Sequence, residues 1–139
     1  ADAVALATLA KACVPVLRAQ PTVVSVPAPC KVFGDIHGQL RSLLLLFGAY
    51  GFPSHATGDV QTTAYVFNGD WVDRGAHQLE VVALLFALKL IYPERVYLVR
   101  GNHECREMSE LMGSIGFLQH CRNRLSPRHY HEVFHTIHE

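Results

Sequence analysis

The spacing of apolar positions changes several times along the chain, and the changes mark out its elements. Leu6, Leu9, Cys13, Val16 and Leu17 recur at helical spacing, so the apolar opening from Ala1 to Val16 predicts an amphipathic helix, kinked or ended at Pro15. A proline-punctuated extended stretch, Pro21 to Pro29, follows. Lys31 to Gly34 predicts a short strand, and Gly38 to Phe47, with its run of leucines, a helix apolar on most faces and therefore buried. Gly48 to Thr62 has the Gly, Pro and Ser content of a loop, and Thr63 to Phe67 the β-branched and aromatic content of a strand. Helical period returns from Ala76 to Tyr92 and stops at Pro93, and Arg95 to Val99 gives a third strand. Beyond Glu104 the pattern predicts two or three short helices, with breaks at Gly113, Gly116 and Ser126-Pro127.

An order of strand, helix, strand, helix, strand predicts an α/β domain with neighbouring parallel strands and right-handed crossovers. It also puts three polar loops at the C-terminal ends of the strands, the edge at which such sheets bind ligands. The loops read Gly34-Asp35-Ile36-His37-Gly38, Gly69-Asp70-Trp71-Val72-Asp73-Arg74-Gly75 and Arg100-Gly101-Asn102-His103-Glu104.

Composition narrows the picture. At 139 residues with 50% apolar residues, the chain is long enough for one domain with a core and no more. Twelve basic residues balance twelve acidic ones, so net charge points to neither nucleic acid nor an acidic membrane, and phosphate recognition has to be local. Cys13, Cys30, Cys105 and Cys121 form neither a C-x-x-C pair nor a zinc-ribbon spacing, which favours a reducing setting, cytoplasmic or nuclear. The opening stretch has no basic n-region and carries Lys11, unlike a signal sequence, and no stretch reaches the length of a membrane span. A first residue other than Met is what an excised or partial segment would have. The histidines near the C-terminus (His129, His131, His135, His138) are expected on an exposed helix face.

Each loop offers metal-ligand chemistry: Asp35 and His37 in the first, Asp70 in the second, Asn102 in the third. Oxygen donors mixed with imidazole suit Zn, Fe or Mn better than Ca or Mg. A carboxylate bridging two ions about 3.5 to 4 Å apart is the simplest clamp, and Asp70 is the choice for it. Arg74 follows closely enough to aim its planar fork at phosphoryl oxygens. His103, beside a candidate ligand, can protonate a departing alcohol, with Asp73 orienting its imidazole. Taken singly, each has a structural alternative: Asp35 and Asp70 as Asx-turns or caps, His37 and His103 as satisfied loop histidines, Arg74 in a surface pair, Asn102 in a left-handed turn. Three Gly-bracketed polar loops in order on successive strands are the evidence for chemistry.

The motifs Gly-Asp-Ile-His-Gly-Gln, Gly-Asp-Trp-Val-Asp-Arg-Gly and Arg-Gly-Asn-His-Glu-Cys resemble the signature loops of the PPP-type serine/threonine protein phosphatases, with Trp71 where that family more often has Tyr. Ala19-Gln20-Pro21 and Ala28-Pro29 resemble the arm before the first loop, so the similarity covers most of the chain. Phe52-Pro53-Ser54, Val66-Phe67-Asn68 and Leu84 to Lys89 are most similar to the EF-hand-containing branch, although no EF-hand loop is present. The resemblance implies the N-terminal half of a calcineurin-like metallophosphoesterase β-sandwich flanked by helices, residues 1–139 forming a partial domain that stops before its second half. It implies that Asp35 and His37 bind the first metal, Asp70 bridges, Asn102 binds the second metal and the substrate, Arg74 holds phosphate, and His103 is the acid paired with Asp73. The second half is expected to supply two histidines and a further arginine, so the second metal site is incomplete within these residues.

The expected function is hydrolysis of phosphoserine and phosphothreonine in proteins by a hydroxide activated by two metal ions (Mn, Fe or Zn). No cysteine or serine stands in a nucleophile-and-base context, so no phosphoenzyme is expected. Phosphoprotein substrates and regulatory subunits are the expected partners, with no nucleic acid and no membrane. The alternatives are a phosphoesterase for small substrates such as dinucleoside polyphosphates, and an inactive fragment acting at most as a binding module.

Overall fold

The structure, a computed structural model, describes residues 2–56 and 58–139. Ala1 of the expected first helix and Thr57 of the expected loop lie outside the described residues. Helix α1 spans Ala3–Arg18 and begins at Asp2, whose carboxylate accepts the Val4 N–H at 3.2 Å. The expected end at Pro15 does not occur, and the helix runs on to Arg18. The ring lies in the last turn, Ala19 N–H still bonds to the Pro15 carbonyl at 3.1 Å, and packing on later helices holds the turn in place.

Strands β1 (Cys30–Phe33), β2 (Ala64–Phe67) and β3 (Val96–Leu98) form a parallel sheet in the order β1-β2-β3. Helix α2 (Leu40–Tyr50) connects the first pair and α3 (Gln78–Ile91) the second. The expected parallel α/β arrangement of a three-stranded sheet flanked by helices is therefore present. Register pairs Phe33 with Phe67 and Phe67 with Leu98, aligning these side chains on one face. Phe33 stacks on Phe67 at 5.0 Å between ring centroids and meets Phe47 of α2 edge-on at 5.5 Å. Strand β2, between two neighbours, is buried along its whole length.

Helix α3 is the most enclosed helix, with Leu79, Val81, Val82, Leu85, Phe86 and Leu88 all buried and α1 and α5 packed against it. Lys89 is buried with them, and its ammonium donates to the carbonyls of Pro93 (2.7 Å) and Val96 (2.9 Å), satisfying the turn into β3. The expected full burial of the leucine-rich helix does not hold. In α2 only Leu43 and Phe47 are buried, while Leu45 is 64% exposed and Leu44 and Leu46 also reach solvent. Consecutive leucines point in all directions around a helix, and the sheet covers only one stripe.

After β3 come α4 (Arg106–Leu111), a 3-10 turn (Gly113–Ile115), α5 (Phe117–Arg124) and α6 (Pro127–Ile137), so Gly116 and Ser126 fall between elements while Gly113 and Pro127 each open one. The C-terminal histidines do not share one exposed face. His138 is half-buried against Phe134 at 4.3 Å and Phe117 at 6.1 Å because α6 folds back over α5 and α1.

Burial holds the imidazoles of His120 and His138 below the ordinary histidine range, with the Arg124 guanidinium adding to the effect at His120. The unfolded chain takes up these protons near pH ~6.5, whereas the folded chain takes them up only at lower pH. Their contribution to stability is therefore present above that value and lost as pH falls from it toward the folded pKa. Urea melts at about pH 7.5 and about pH 5.5 are expected to show a lower midpoint in acid, and His138→Gln a smaller difference between the two. An undiminished difference in both His138→Gln and His120→Gln would count against this account.

Candidate metal centre

The three polar loops meet at the C-terminal edge of the sheet and are bonded to one another through their backbones. Ile36 and His37 in the first loop both donate their N–H to the Asp70 carbonyl (2.9 and 2.8 Å), and Gly38 donates to that of Trp71 at 2.8 Å. The second and third loops are joined by the buried Glu104 carboxylate, which accepts N–H groups from Asp70 (2.7 Å), Trp71 (2.7 Å) and Gly101 (2.9 Å). Close approach explains two of the glycines. A Cβ on Gly75 would lie 2.1 Å from the His37 carbonyl oxygen, and one on Gly101 2.3 Å from Asp70 Oδ1.

Four residues other than glycine have positive φ in these loops: His37 (43°), Asp70 (53°), Asp73 (65°) and Arg74 (70°). Each such conformation costs about 1 to 3 kcal/mol and persists only where the surroundings enforce it. All four are among the residues singled out from the sequence, and they were marked by residue type and not by any sign of strain.

The arrangement sorts those residues plainly. Ligand atoms of His37, Asp70 and His103 lie within 4.8 Å of one another. Asp35 stands at the rim, 70% exposed, with Oδ2 3.8 Å from His37 Nε2. Asn102 is exposed, and its carbonyl accepts the Cys105 N–H at 3.2 Å. The cluster thus contains His103, expected as an acid, and leaves the exposed Asp35 carboxylate on its margin. Asp70 is no simple cap: its Oδ1 accepts the His103 N–H at 3.1 Å across the loops.

Hydrogen bonding defines both imidazoles. His37 Nδ1 lies 2.8 Å from the Val72 carbonyl, and His103 Nδ1 lies 2.8 Å from Asp73 Oδ2. Both partners accept only, so Nδ1 carries the proton in each ring. Arg74 Nη1 and Nη2 lie 3.0 Å from His37 Nε2 and 3.2 Å from His103 Nε2, and a guanidinium only donates, so both Nε2 atoms present lone pairs. That is the tautomer a metal ligand requires, oriented from behind by a carbonyl in one case and a carboxylate in the other. Two imidazole nitrogens beside a carboxylate suit Zn, Fe or Mn. Arg74 holds its place through its own N–H, bonded to the Ile115 carbonyl at 2.7 Å.

Asp73 is fully buried and fully used. Oδ1 accepts the Phe117 N–H at 2.6 Å and Oδ2 faces His103, while its own N–H reaches Gln78 Oε1 at 2.9 Å. Gln78 also donates to the carbonyls of Gly75 (3.0 Å) and Ile115 (3.2 Å). Sequence reasoning assigned no role to Gln78 or Glu104. Glu104 stands inside the third motif, which is the signal the sequence offers for it, whereas nothing in the sequence separates Gln78 from an ordinary first-turn residue of α3.

Comparison with known proteins agrees with this fold. The profile of the calcineurin-like phosphoesterases matches residues 28–137, and the chain belongs to that family, in its PPP-type serine/threonine phosphatase branch. It is 45% identical over 122 residues to the serine/threonine-protein phosphatase BSL2 of Arabidopsis thaliana, covering 88% of this chain and 12% of that protein. It also superposes on a protein serine/threonine phosphatase from Saccharomyces cerevisiae, described as similar to human phosphatase PP5, with a TM-score of 0.84 and 29% identity. That match covers 99% of this chain and 42% of the yeast chain, so these residues span less than half of either relative.

Because Glu104 satisfies three backbone donors at once, Glu104→Gln is expected to destabilise the fold by about 1.5 to 3 kcal/mol. It should also weaken metal uptake by the loops that Glu104 ties together. Urea unfolding and metal titration measure the two effects, and unchanged values in both would remove Glu104 from this role.

Proposed function

We propose that this chain carries the first metal-binding portion of a phosphatase that hydrolyses phosphoserine and phosphothreonine in proteins. The reaction is proposed for the protein in which these residues join the remainder of their domain, within the cytoplasm or nucleus and open to regulatory subunits. The convergence of His37, Asp70 and His103 on one point, with Arg74 beside it, is the observation that carries this reading.

The proposed roles follow the three loops. Asp35, His37, Asp70 and Asn102 would hold the ions, Asp70 as the ligand shared between them, and Asn102 would also meet substrate. Bound ions of Mn, Fe or Zn would supply Lewis acidity toward the phosphoryl group and a water of lowered pKa. Arg74 holds the phosphoryl oxygens and stabilises developing charge. When Arg74 turns to those oxygens it leaves His103 Nε2, which can then carry the proton that passes to the departing alcohol. Asp73, on His103 Nδ1 at 2.8 Å, stabilises the imidazolium and fixes its orientation.

The sheet's second face supports a domain that continues beyond these residues. Val32, Val66 and Tyr97 are register partners on that face, and Val32 is 65% exposed. A cavity of about 610 Å³ lies over it, lined by residues including Cys13, Leu17, Val66, Trp71 and Tyr97, and the buried Trp71 Nε1 has no hydrogen-bond partner there. A second layer packed on this face is what a sandwich requires. No helix among the described residues is long and apolar enough to cross a membrane.

His103→Asn in the protein carrying the whole domain is expected to lower phosphopeptide turnover about 10²- to 10⁴-fold while metal content stays unchanged. Loss of metal along with activity would instead make His103 a ligand. Asp70→Asn is expected to abolish metal binding in the same protein. Faster hydrolysis of dinucleoside polyphosphates than of phosphopeptides would transfer the reading to small substrates. Two tightly bound metals and full turnover in residues 1–139 alone would contradict the need for a second half.

A further inference from the structure

Among the described residues, the C-terminal histidines divide by environment once the fold is known. His129 Nδ1 is engaged by Ser126 Oγ at 3.0 Å, and His138 is half-buried with Nδ1 bonded to the Phe134 carbonyl at 2.7 Å. His131 and His135 remain, and they face each other. They stand four residues apart on α6, one turn apart on the same face, with ring centroids 4.0 Å apart and planes at 48°. His131 is exposed and His135 half-buried, so the pair is open to solvent on one side. Two histidines at this helical spacing are the arrangement that holds zinc in helix-borne metal sites.

The neighbours of the pair point the same way. Arg106 of α4 reaches His135 Nδ1 with its guanidinium, so this nitrogen presents a lone pair to a cation. Arg106 also lies over the Phe134 ring at 5.6 Å, a second resting place for its charge when it leaves the histidine. The carboxylates of Glu110 and Glu139 act on His135 with the opposite sign. Partial burial, Arg106 and His131 together hold the His135 imidazole below the ordinary histidine range, which keeps it unprotonated and available near neutral pH.

We propose that His131 and His135 form a second metal site, separate from the loops, that chelates one borderline divalent cation such as Zn, Ni or Cu between two imidazoles. The cation takes the place of the Arg106 guanidinium at His135, and solvent completes its coordination, since the three-residue ligand cluster among the described residues is the one in the loops. Two imidazole donors select against Mg and Ca. Binding across one turn ties α6 to its helical form, so the cation stabilises the segment packed on α1 and α5.

Copper(II) titration of the chain, read by calorimetry for stoichiometry and by electron paramagnetic resonance for nitrogen ligands, tests this. The experiment is run in an Asp70→Asn background, so that the loop centre does not contribute. One equivalent with two-nitrogen coordination is expected there, lost on adding His131→Asn and retained on adding His129→Asn. Circular dichroism should be the same for both added substitutions, His131 being exposed. Arg106→Gln is expected to tighten binding by removing the competing cation. Absence of uptake in Asp70→Asn, or unchanged uptake after His131→Asn, overturns the proposal without touching the loop centre, whose metal content is measured separately in the His131→Asn chain.

Discussion

The site depends on how one carboxylate replaces a missing hydrogen-bond pattern. Where the sheet ends, the backbone N–H groups of Asp70, Trp71 and Gly101 have no strand to pair with, and Glu104 takes all three. An ionised acceptor bonded to several N–H groups is stronger than neutral pairs and tolerates the left-handed backbone at Asp70. The first loop then rests on the second through the Asp70 and Trp71 carbonyls. Asp73 ties the assembly to α5 through the Phe117 N–H, so the segment that closes over the site also fixes the orientation of His103. Removing Glu104 would release two loops at once.

Arg74 projects into the space between these loops. Its two Nη atoms each approach a histidine Nε2, so a fixed positive charge occupies the point on which the donors converge. The same guanidinium is the group proposed to bind phosphoryl oxygens, carried on a backbone that the Arg74 N–H anchors to the Ile115 carbonyl. Arg106 of α4 stands in a similar relation to His135 of α6.

Much of this was readable from residue order because the signals were of a kind that sequence preserves. Alternating periods gave the parallel sheet and its crossovers, and the glycines at 75 and 101 mark places where a Cβ would collide. Asp70, Asp73, Arg74, His37 and His103 were identified by chemistry and do converge. What stayed hidden were effects of tertiary packing. Pro15 sits within α1 because neighbouring helices support the last turn, and the outer leucines of α2 are exposed because the sheet covers only one stripe of that helix. Gln78 looks like any helix residue until Asp73 and Ile115 are brought to it. The division of the C-terminal histidines depends on how α6 folds back, which periodicity does not specify.

The central claim is that three loops at one sheet edge make a metal centre with imidazole and carboxylate donors. X-ray absorption at the zinc edge tests it most directly, on chain carrying His131→Asn and loaded with one equivalent of Zn. The account predicts scattering from imidazole together with oxygen neighbours, with the imidazole contribution reduced when His37→Asn is added. A coordination shell of oxygen alone, or one unchanged by His37→Asn, would contradict it.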